Sequence, residues 1–240
     1  PYWKNWIEIF PSLQDLVIAD RQDVLLNWQG LGYYNRAKRL HNSAKILLDL
    51  IGDSSYKDFS KWPQSLLVWI ALPGIGRSTA GSILSSGFDI PLPILDANVK
   101  RILVRLIASQ KIPLKDEARL WELSKRLLYK NSPRNFNQAL MDLGATICTA
   151  RNPLCSNCPL QKHCTSYLAY NPIDFPVKNV IKTSPRTVIG IGIIFNDSGE
   201  ILIDQRLDGT SMGGMWEFPG GKKELNEDIK DTIAREILEE

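Results

Sequence analysis

The sequence predicts a mainly α-helical protein followed by the start of an α/β unit, and three observations carry that reading. Apolar residues recur at helical spacing through residues 1–147. Four cysteines then crowd into the short stretch from Cys148 to Cys164. From Thr187 the pattern changes to strand-like runs around a glycine-rich loop. With 240 residues, 44% of them hydrophobic, the chain can bury a real core and hold more than one domain.

Taken in order, Trp3, Trp6, Ile7 and Phe10 follow the i, i+3, i+4, i+7 spacing of one helix face. The run Val24-Leu25-Trp28 stops at Gly30-Leu31-Gly32, a helix-ending signal. Helical patterns recur over 35–51, 63–72, 78–86, 97–108, 116–130 and 134–147, with few strand-like alternations between them. Pro172, Pro176 and Pro185 mark 167–186 as an interdomain linker. Beyond it, VIGIGIIFNDSGEILIDQR reads as two strands joined by an Asn196-Asp197-Ser198-Gly199 turn. A glycine-rich loop and a helix with an Ile229, Ile233, Ile237 stripe follow, as in an α/β domain. The expected division is therefore 1–166, a linker over 167–186, and 187–240. Opening on Pro1 and stopping at Glu240, each inside a helical pattern, the chain reads as part of a longer one.

No apolar run reaches the ~18–20 residues of a membrane span, and no signal-peptide pattern opens the chain. Four unpaired thiols favour a reducing intracellular setting, cytoplasmic such as the bacterial cytosol or nucleoid. The net charge of +3 conceals a division: residues 1–172 carry 21 Lys+Arg against 13 Asp+Glu, and residues 173–240 carry 8 against 13. A basic first part suits a phosphate-backbone partner, although the same charge also serves ordinary solvation.

Cys148, Cys155, Cys158 and Cys164 are spaced C-x6-C-x2-C-x5-C, and the chain has no other cysteine. Paired disulfides fit poorly, because the four are too clustered to staple a chain of this size. Structural zinc with four thiolates is open, but such sites usually use two CxxC pairs separated by a longer finger. An iron–sulfur cluster accepts four thiolates from an unevenly spaced local loop and fits this spacing better.

Between two helical runs lies Leu72-Pro73-Gly74-Ile75-Gly76, whose glycines allow a tight turn and close backbone approach by a partner. The next helix begins near Arg77-Ser78-Thr79 and offers its free N–H groups to an anion; a plain glycine-capped connection is the other reading. Further on, in Ile94-Leu95-Asp96-Ala97-Asn98-Val99-Lys100-Arg101, Asp96 stands at a helix N-cap position, also suited to steadying a developing cation.

A helix-hairpin-helix, an aspartate opening the next helix and then this cysteine spacing resemble the iron–sulfur DNA glycosylases, the branch of endonuclease III and the MutY-type adenine glycosylases. GLGYYNRAKRL at 30–40, LPGIGRSTAGSIL at 72–84, ILDANVKR at 94–101 and FNQALMDLGATIC at 136–148 resemble the adenine glycosylases in particular. The resemblance implies a helix-hairpin-helix glycosylase fold with a 4Fe-4S cluster on the four cysteines. It also implies a monomer acting on double-stranded DNA that contains a mismatched adenine, opposite 8-oxoguanine or guanine. Endonuclease III-like enzymes carry an imine-forming lysine where this chain has Ser78, so removal of the base without strand cleavage is expected. Asp96 is then the electrostatic stabiliser, Asn98 holds it, and Ser78 lines the same cleft. Leu72, Gly74, Gly76 and Arg77 of the hairpin, with Lys100, Arg151 and Lys162, are expected at the DNA backbone, Lys100 alternatively in a local ion pair. Tyr33 resembles an intercalating aromatic. The family's general-acid glutamate belongs to a segment before Pro1, so residues 1–240 alone are expected to be inactive.

The tail Gly221-x5-Glu227-x7-Arg235-Glu236-Ile237-x-Glu239-Glu240 resembles a Nudix box. Glu236 and Glu240 are i, i+4 neighbours with Glu239 beside them, an arrangement suited to Mg2+ or to a solvated acidic face. Such a domain either reads 8-oxoguanine or hydrolyses oxidised nucleotides. An endonuclease III-like lyase, or a DNA-binding module fused to a Nudix hydrolase, is the alternative for the whole.

Overall fold

The computed structural model describes residues 2–52, 56–177, 186–207, 209–210 and 212–239. Mainly helical, it runs α1 (Tyr2–Ile9), α2 (Leu13–Ile18), α3 (Arg21–Asn27), α4 (Asn35–Ile51), α5 (Leu66–Ala71), α6 (Arg77–Phe88), α7 (Ala97–Leu106), α8 (Glu117–Leu127), α9 (Pro133–Asp142) and α10 (Thr165–Ala169). Short strands β1 (Ile189–Ile191), β2 (Asp204–Gln205), β3 (Trp216–Glu217) and β4 (Gly220–Lys222) then precede α11 (Ile229–Glu239). Two compact units result: one of Ser12–Val17 with Asn42–Val180, the other of Pro1–Pro11, Ile18–His41 and Ile181–Glu240. No described helix is long and apolar enough to cross a membrane.

In the first unit α7 is the central helix. Asp96 caps it, and Val99, Leu103 and Val104 join Ile94, Leu95, Leu120 and Leu140 in one buried cluster. Leu47, Trp69, Leu72, Ala80 and Leu84 form a second cluster, beneath the hairpin. The small residues of α6 permit close approach: Ser85 accepts from the Asn137 amide of α9 at 2.9 Å, and Gly81 lies under the Pro93 carbonyl. Most helical patterns read from the sequence appear at their places, with trimmed ends. The run expected to end at 147 stops being α-helical at Asp142 and passes through a π-turn, Leu143–Ile147, whose looser winding delivers Cys148 to its loop. The expected linker is in part core, since Phe175 is 4% exposed and packs into the α7 cluster, while residues 178–185 of it, with Pro185, lie outside the described residues.

In the second unit, Trp6 of α1 meets Trp28 edge-on at 5.5 Å and Phe10 at 4.8 Å, but Trp3 of the same predicted face is exposed. The strand hairpin also differs from expectation. Asn196 Oδ1 accepts from the Ser198 and Glu200 N–H groups and makes the turn, yet only the Phe195–Ile201 bridge joins its arms. β1 pairs instead with β4, Ile189 opposite Lys222 and Ile191 opposite Gly220. Glycine explains that choice: a Cβ on Gly220 would stand 2.2 Å from the Gly190 carbonyl oxygen, and one on Gly192 3.0 Å from Ile233 of α11. Glycines supply no side chains to cover the helix, so the Ile229 and Ile237 ends of the expected stripe remain exposed.

Two substitutions in α6 should part company. Gly81→Ala drives a methyl to 2.7 Å from the backbone oxygen of Pro93, and urea unfolding should show a loss of about 1–3 kcal/mol. Gly87→Ala meets nothing within 4 Å and should gain about 0.5–1 kcal/mol from helix propensity. Equal effects at the two sites would refute the packing account.

Candidate functional site

The hairpin begins with a turn its sequence dictates. Pro73 and Gly74 occupy the central positions of a type II turn, Gly74 at φ 80°, closed by the Ile75 N–H on the Leu72 carbonyl at 3.2 Å. Ser43 of α4 donates to the Pro73 carbonyl at 2.7 Å and fixes the turn from behind. Gly76 differs from expectation: its φ is −88°, so no positive φ requires glycine there, and a Cβ would meet nothing within 4 Å. It caps α6 without any side-chain hydrogen bond, leaving the first-turn N–H groups open to an external acceptor.

The Ser78 hydroxyl oxygen accepts from the Leu95 N–H at 2.9 Å, which binds the residue before Asp96 to the hairpin helix. Asp96 is half-buried, and its Oδ1 accepts from the Val99 N–H at 2.8 Å. Its Oδ2 takes no hydrogen bond from the described residues. Ser78 is thus tied to the residue before Asp96, and no described hydrogen bond joins the two side chains. Asn98 is tied elsewhere: its Oδ1 accepts from Arg101 Nη2 at 2.8 Å, and no described hydrogen bond joins it to Asp96. Lys100 forms the local ion pair, 2.6 Å from Glu117. Arg77 lies over the Trp121 ring, 4.1 Å from its centroid. Leu72 is buried under the hairpin and serves its packing.

Arg101 carries a role that motif reading missed. Its Nε donates to the Cys148 carbonyl at 2.8 Å and its Nη2 to the Gly144 carbonyl at 2.6 Å, besides Asn98. Gly144 is equally constrained, since a Cβ there would stand 2.6 Å from Asn98 Cβ. The available signal was a basic residue one turn after Asn98, on the flank of an apolar stripe.

The four cysteines line one small cavity together with Arg105, Ile147, Pro153 and Tyr167. Short 3-10 turns at Cys155–Asn157 and Gln161–His163 shape the loop. Burial, then the charges of the other cysteines, pushes the Cys155 thiol up, against a smaller pull from Arg105. Burial likewise raises Cys158, opposed by the Leu160 N–H. Among the described residues no group of three His, Cys, Asp or Glu side chains is placed to hold a single metal ion. One tetrahedral zinc, with Zn–S near 2.3 Å, would need sulfurs roughly 4 Å apart. A polynuclear cluster spreads its thiolates over separate irons and suits four cysteines of one unevenly spaced loop lining a single cavity. Arg151 and Lys162 on the loop's rim are exposed.

In the other unit, Tyr33 is 84% exposed at φ 49°, and Arg36 stacks between its ring and that of Trp28, 5.4 and 5.6 Å from the centroids. On α11, Arg235 gathers the box carboxylates: Glu227 at 3.0 Å, Glu236 at 2.8 Å and Glu239 at 3.2 Å. Glu236 rests on Gly221, where a Cβ would come within 2.1 Å of it. Glu240 lies outside the described residues.

Hydrogen bonds from Arg235, the Glu224 N–H and Thr232 hold the Glu227 carboxyl down to about 2 from an ordinary 4.5. Because the folded value is depressed, the stability it contributes is complete above 4.5 and is lost as pH falls towards 2. Carboxyl NMR titration should find that low midpoint, and Arg235→Gln should return it towards 4.5. A midpoint already near 4.5 in the unaltered protein would disprove the clamp.

Comparison with known proteins matches three stretches of the chain, the first of which takes in parts of both compact units. Residues 1–126 match the HhH-GPD superfamily of base excision DNA repair proteins, residues 148–164 the iron–sulfur binding domain of endonuclease III, and residues 190–240 a NUDIX domain. The adenine DNA glycosylase of Buchnera aphidicola subsp. Acyrthosiphon pisum (strain APS) is 41% identical over 201 residues, 82% of this chain and 55% of that protein. The adenine DNA glycosylase of Homo sapiens is 30% identical over 285 residues, 99% of this chain and 51% of that protein. The chain thus spans about half the length of the curated relatives it matches. Among solved structures, a thermostable thymine-DNA glycosylase superposes with a TM-score of 0.58 at 24% identity, covering 70% of this chain and 75% of its own. A non-covalent endonuclease III–DNA complex gives 0.55 at 22%, covering 70% and 74%. These two likenesses establish the fold alone. Together with an iron–sulfur binding domain and a NUDIX segment, the match over residues 1–126 means that this chain belongs to the HhH-GPD superfamily of base excision DNA repair proteins.

Proposed function

We propose that the chain is the core of a monomeric adenine DNA glycosylase, which hydrolyses the N-glycosidic bond of adenine opposite 8-oxoguanine or guanine in double-stranded DNA. The observation that carries this is the Ser78–Leu95 hydrogen bond of 2.9 Å. It sets Asp96 beside the hairpin with a hydroxyl, not an amine, at the adjoining position. The likeness to adenine DNA glycosylases supports the choice of base.

The chemistry follows from the groups present. Losing adenine leaves positive charge on the sugar, and a preorganised carboxylate stabilises it without forming a bond. Asp96 suits that task because one oxygen is spent on the helix cap and the other is free of described donors. The open N–H groups after Gly76 suit a DNA phosphate, and the exposed Arg151 and Lys162 add salt-dependent attraction. Tyr33, held outward on a strained turn, suits base stacking worth about 1–3 kcal/mol. Lys100 is engaged by Glu117 and does not serve as a nucleophile in this reading. The four cysteines would hold a 4Fe-4S cluster, which supplies a rigid core for the loop and takes no part in hydrolysis. The protein works in a reducing intracellular compartment, where such thiolates persist.

Mg2+ at Glu236, Glu239 and Glu240 is a separate reading of the NUDIX segment. A cation there must compete with Arg235 for Glu236 and Glu239. Calorimetric titration with Mg2+ should therefore show tighter binding in Arg235→Gln, and equal binding would count against this site.

The complete reading frame and an end-labelled duplex with adenine opposite 8-oxoguanine test the main reading. Strand breakage is expected only after hot alkali. Asp96→Asn should lower base release by about 10²–10³-fold and leave the fold intact, because asparagine also caps helices. Breakage without alkali would transfer the chemistry to Lys100, and no breakage would overturn the proposal.

A further inference from the structure

Arg105 is the largest fully buried side chain among the described residues, 1% exposed, and it interrupts the apolar run of α7. A guanidinium cannot shed its charge, and a buried ion is costly unless an opposite charge and satisfied hydrogen bonds surround it. The hydrogen bonds are present. Nε donates to the Phe175 carbonyl at 2.9 Å, Nη1 to the Thr149 carbonyl at 2.7 Å and the Cys148 carbonyl at 3.4 Å, and Nη2 to the Ala150 carbonyl at 3.1 Å. All four acceptors are neutral. No carboxylate among the described residues is paired with Arg105. Its one other acceptor is Cys148 Sγ, 3.3 Å from Nη1, and the side chain lines the cavity formed by the four cysteines.

The missing negative charge is therefore to be sought in that cavity. Four thiolates around an iron–sulfur core leave a net anion, and hydrogen bonds to the sulfurs and nearby charge set its reduction potential. We infer that Arg105 is the buried counter-charge of the iron–sulfur cluster. Through Phe175 it also makes the packing of the chain after α10 depend on the cluster being in place. Arg105 is a positioning residue in this scheme and touches neither the DNA nor the reacting bond.

The complete reading frame carrying its cluster is compared with Arg105→Gln and Arg105→Lys by protein-film voltammetry and by bleaching of the visible absorbance under a chelator. Removing a nearby cation disfavours the more negative, reduced cluster, so Arg105→Gln should shift the potential negative. It should also release iron roughly 10–100-fold more readily, the usual effect of losing an outer partner of a metal site. Arg105→Lys keeps the charge but not the planar fork, and its potential should return towards the unaltered value. An unchanged potential in Arg105→Gln, or a shift in Arg105→Lys as large as in Arg105→Gln, overturns the inference. Where Arg105→Gln does not accumulate in loaded form, hydrogen exchange of the unaltered protein decides. Stripping the iron should remove protection both from 148–151 and around Phe175, and undisturbed protection at Phe175 overturns the inference. None of the three readouts uses base release, so the outcome stands apart from whether adenine is the substrate.

Discussion

One hydrogen bond sets the phase of the helix on which the helical unit turns. By accepting the Val99 N–H, Asp96 fixes where α7 begins, and a helix whose start is fixed has its faces fixed as well. Val99 and Leu103 then point into the core, while Asn98, Arg101 and Arg105 lie at i, i+3 and i+7 along the side that meets the cysteine loop. A shift of one residue would rotate α7 by about 100° and aim its arginines at the apolar cluster. In the proposed reaction the carboxylate that starts the helix is also the one offered to a sugar cation, so that folding and chemistry would share a group.

That sharing also bears on why the cysteine loop lies next to the candidate site in the fold. Arg101 grips the Cys148 and Gly144 carbonyls with one fork and Asn98 with the same fork. The π-turn through Leu143–Ile147 places those carbonyls within reach, and Gly144 leaves room for Asn98. Arginine is suited to this because its planar donors serve several acceptors at fixed angles. A lysine could satisfy one at a time.

Much of this was legible in the residues, and what was not has a common cause. Asp96 before an apolar stripe announces an N-cap, Leu72-Pro73-Gly74-Ile75-Gly76 announces a tight turn, and four clustered cysteines announce a metal centre. Arg101 and Arg105 gave no such announcement because most of their acceptors are backbone carbonyls more than forty positions away. Carbonyls belong to every residue and leave no mark in a sequence. The partner of β1 was hidden for a similar reason: periodicity tells which residues alternate, not which distant strand can come close, and glycine at 190 and 220 decided that. Counting acids in the NUDIX helix suggested a cation site or a solvated face, whereas the arginine inside the same motif pairs with Glu227, Glu236 and Glu239.

The excess of basic residues in the first part of the chain must accordingly be read by position. Arg101 and Arg105 are spent on carbonyls of the cysteine loop, Lys100 on Glu117 and Arg77 on the Trp121 ring. Charges so engaged reinforce the fold, and only part of the sequence's positive excess can meet a phosphate. Arg151 and Lys162, exposed on the rim of the cysteine loop, are of the other kind. The loop therefore faces two ways electrostatically, with an inner arginine turned towards the thiolates and outer cations turned towards solvent. Under the proposed function, a cluster held between them would support the outer charges by fixing the backbone that carries them.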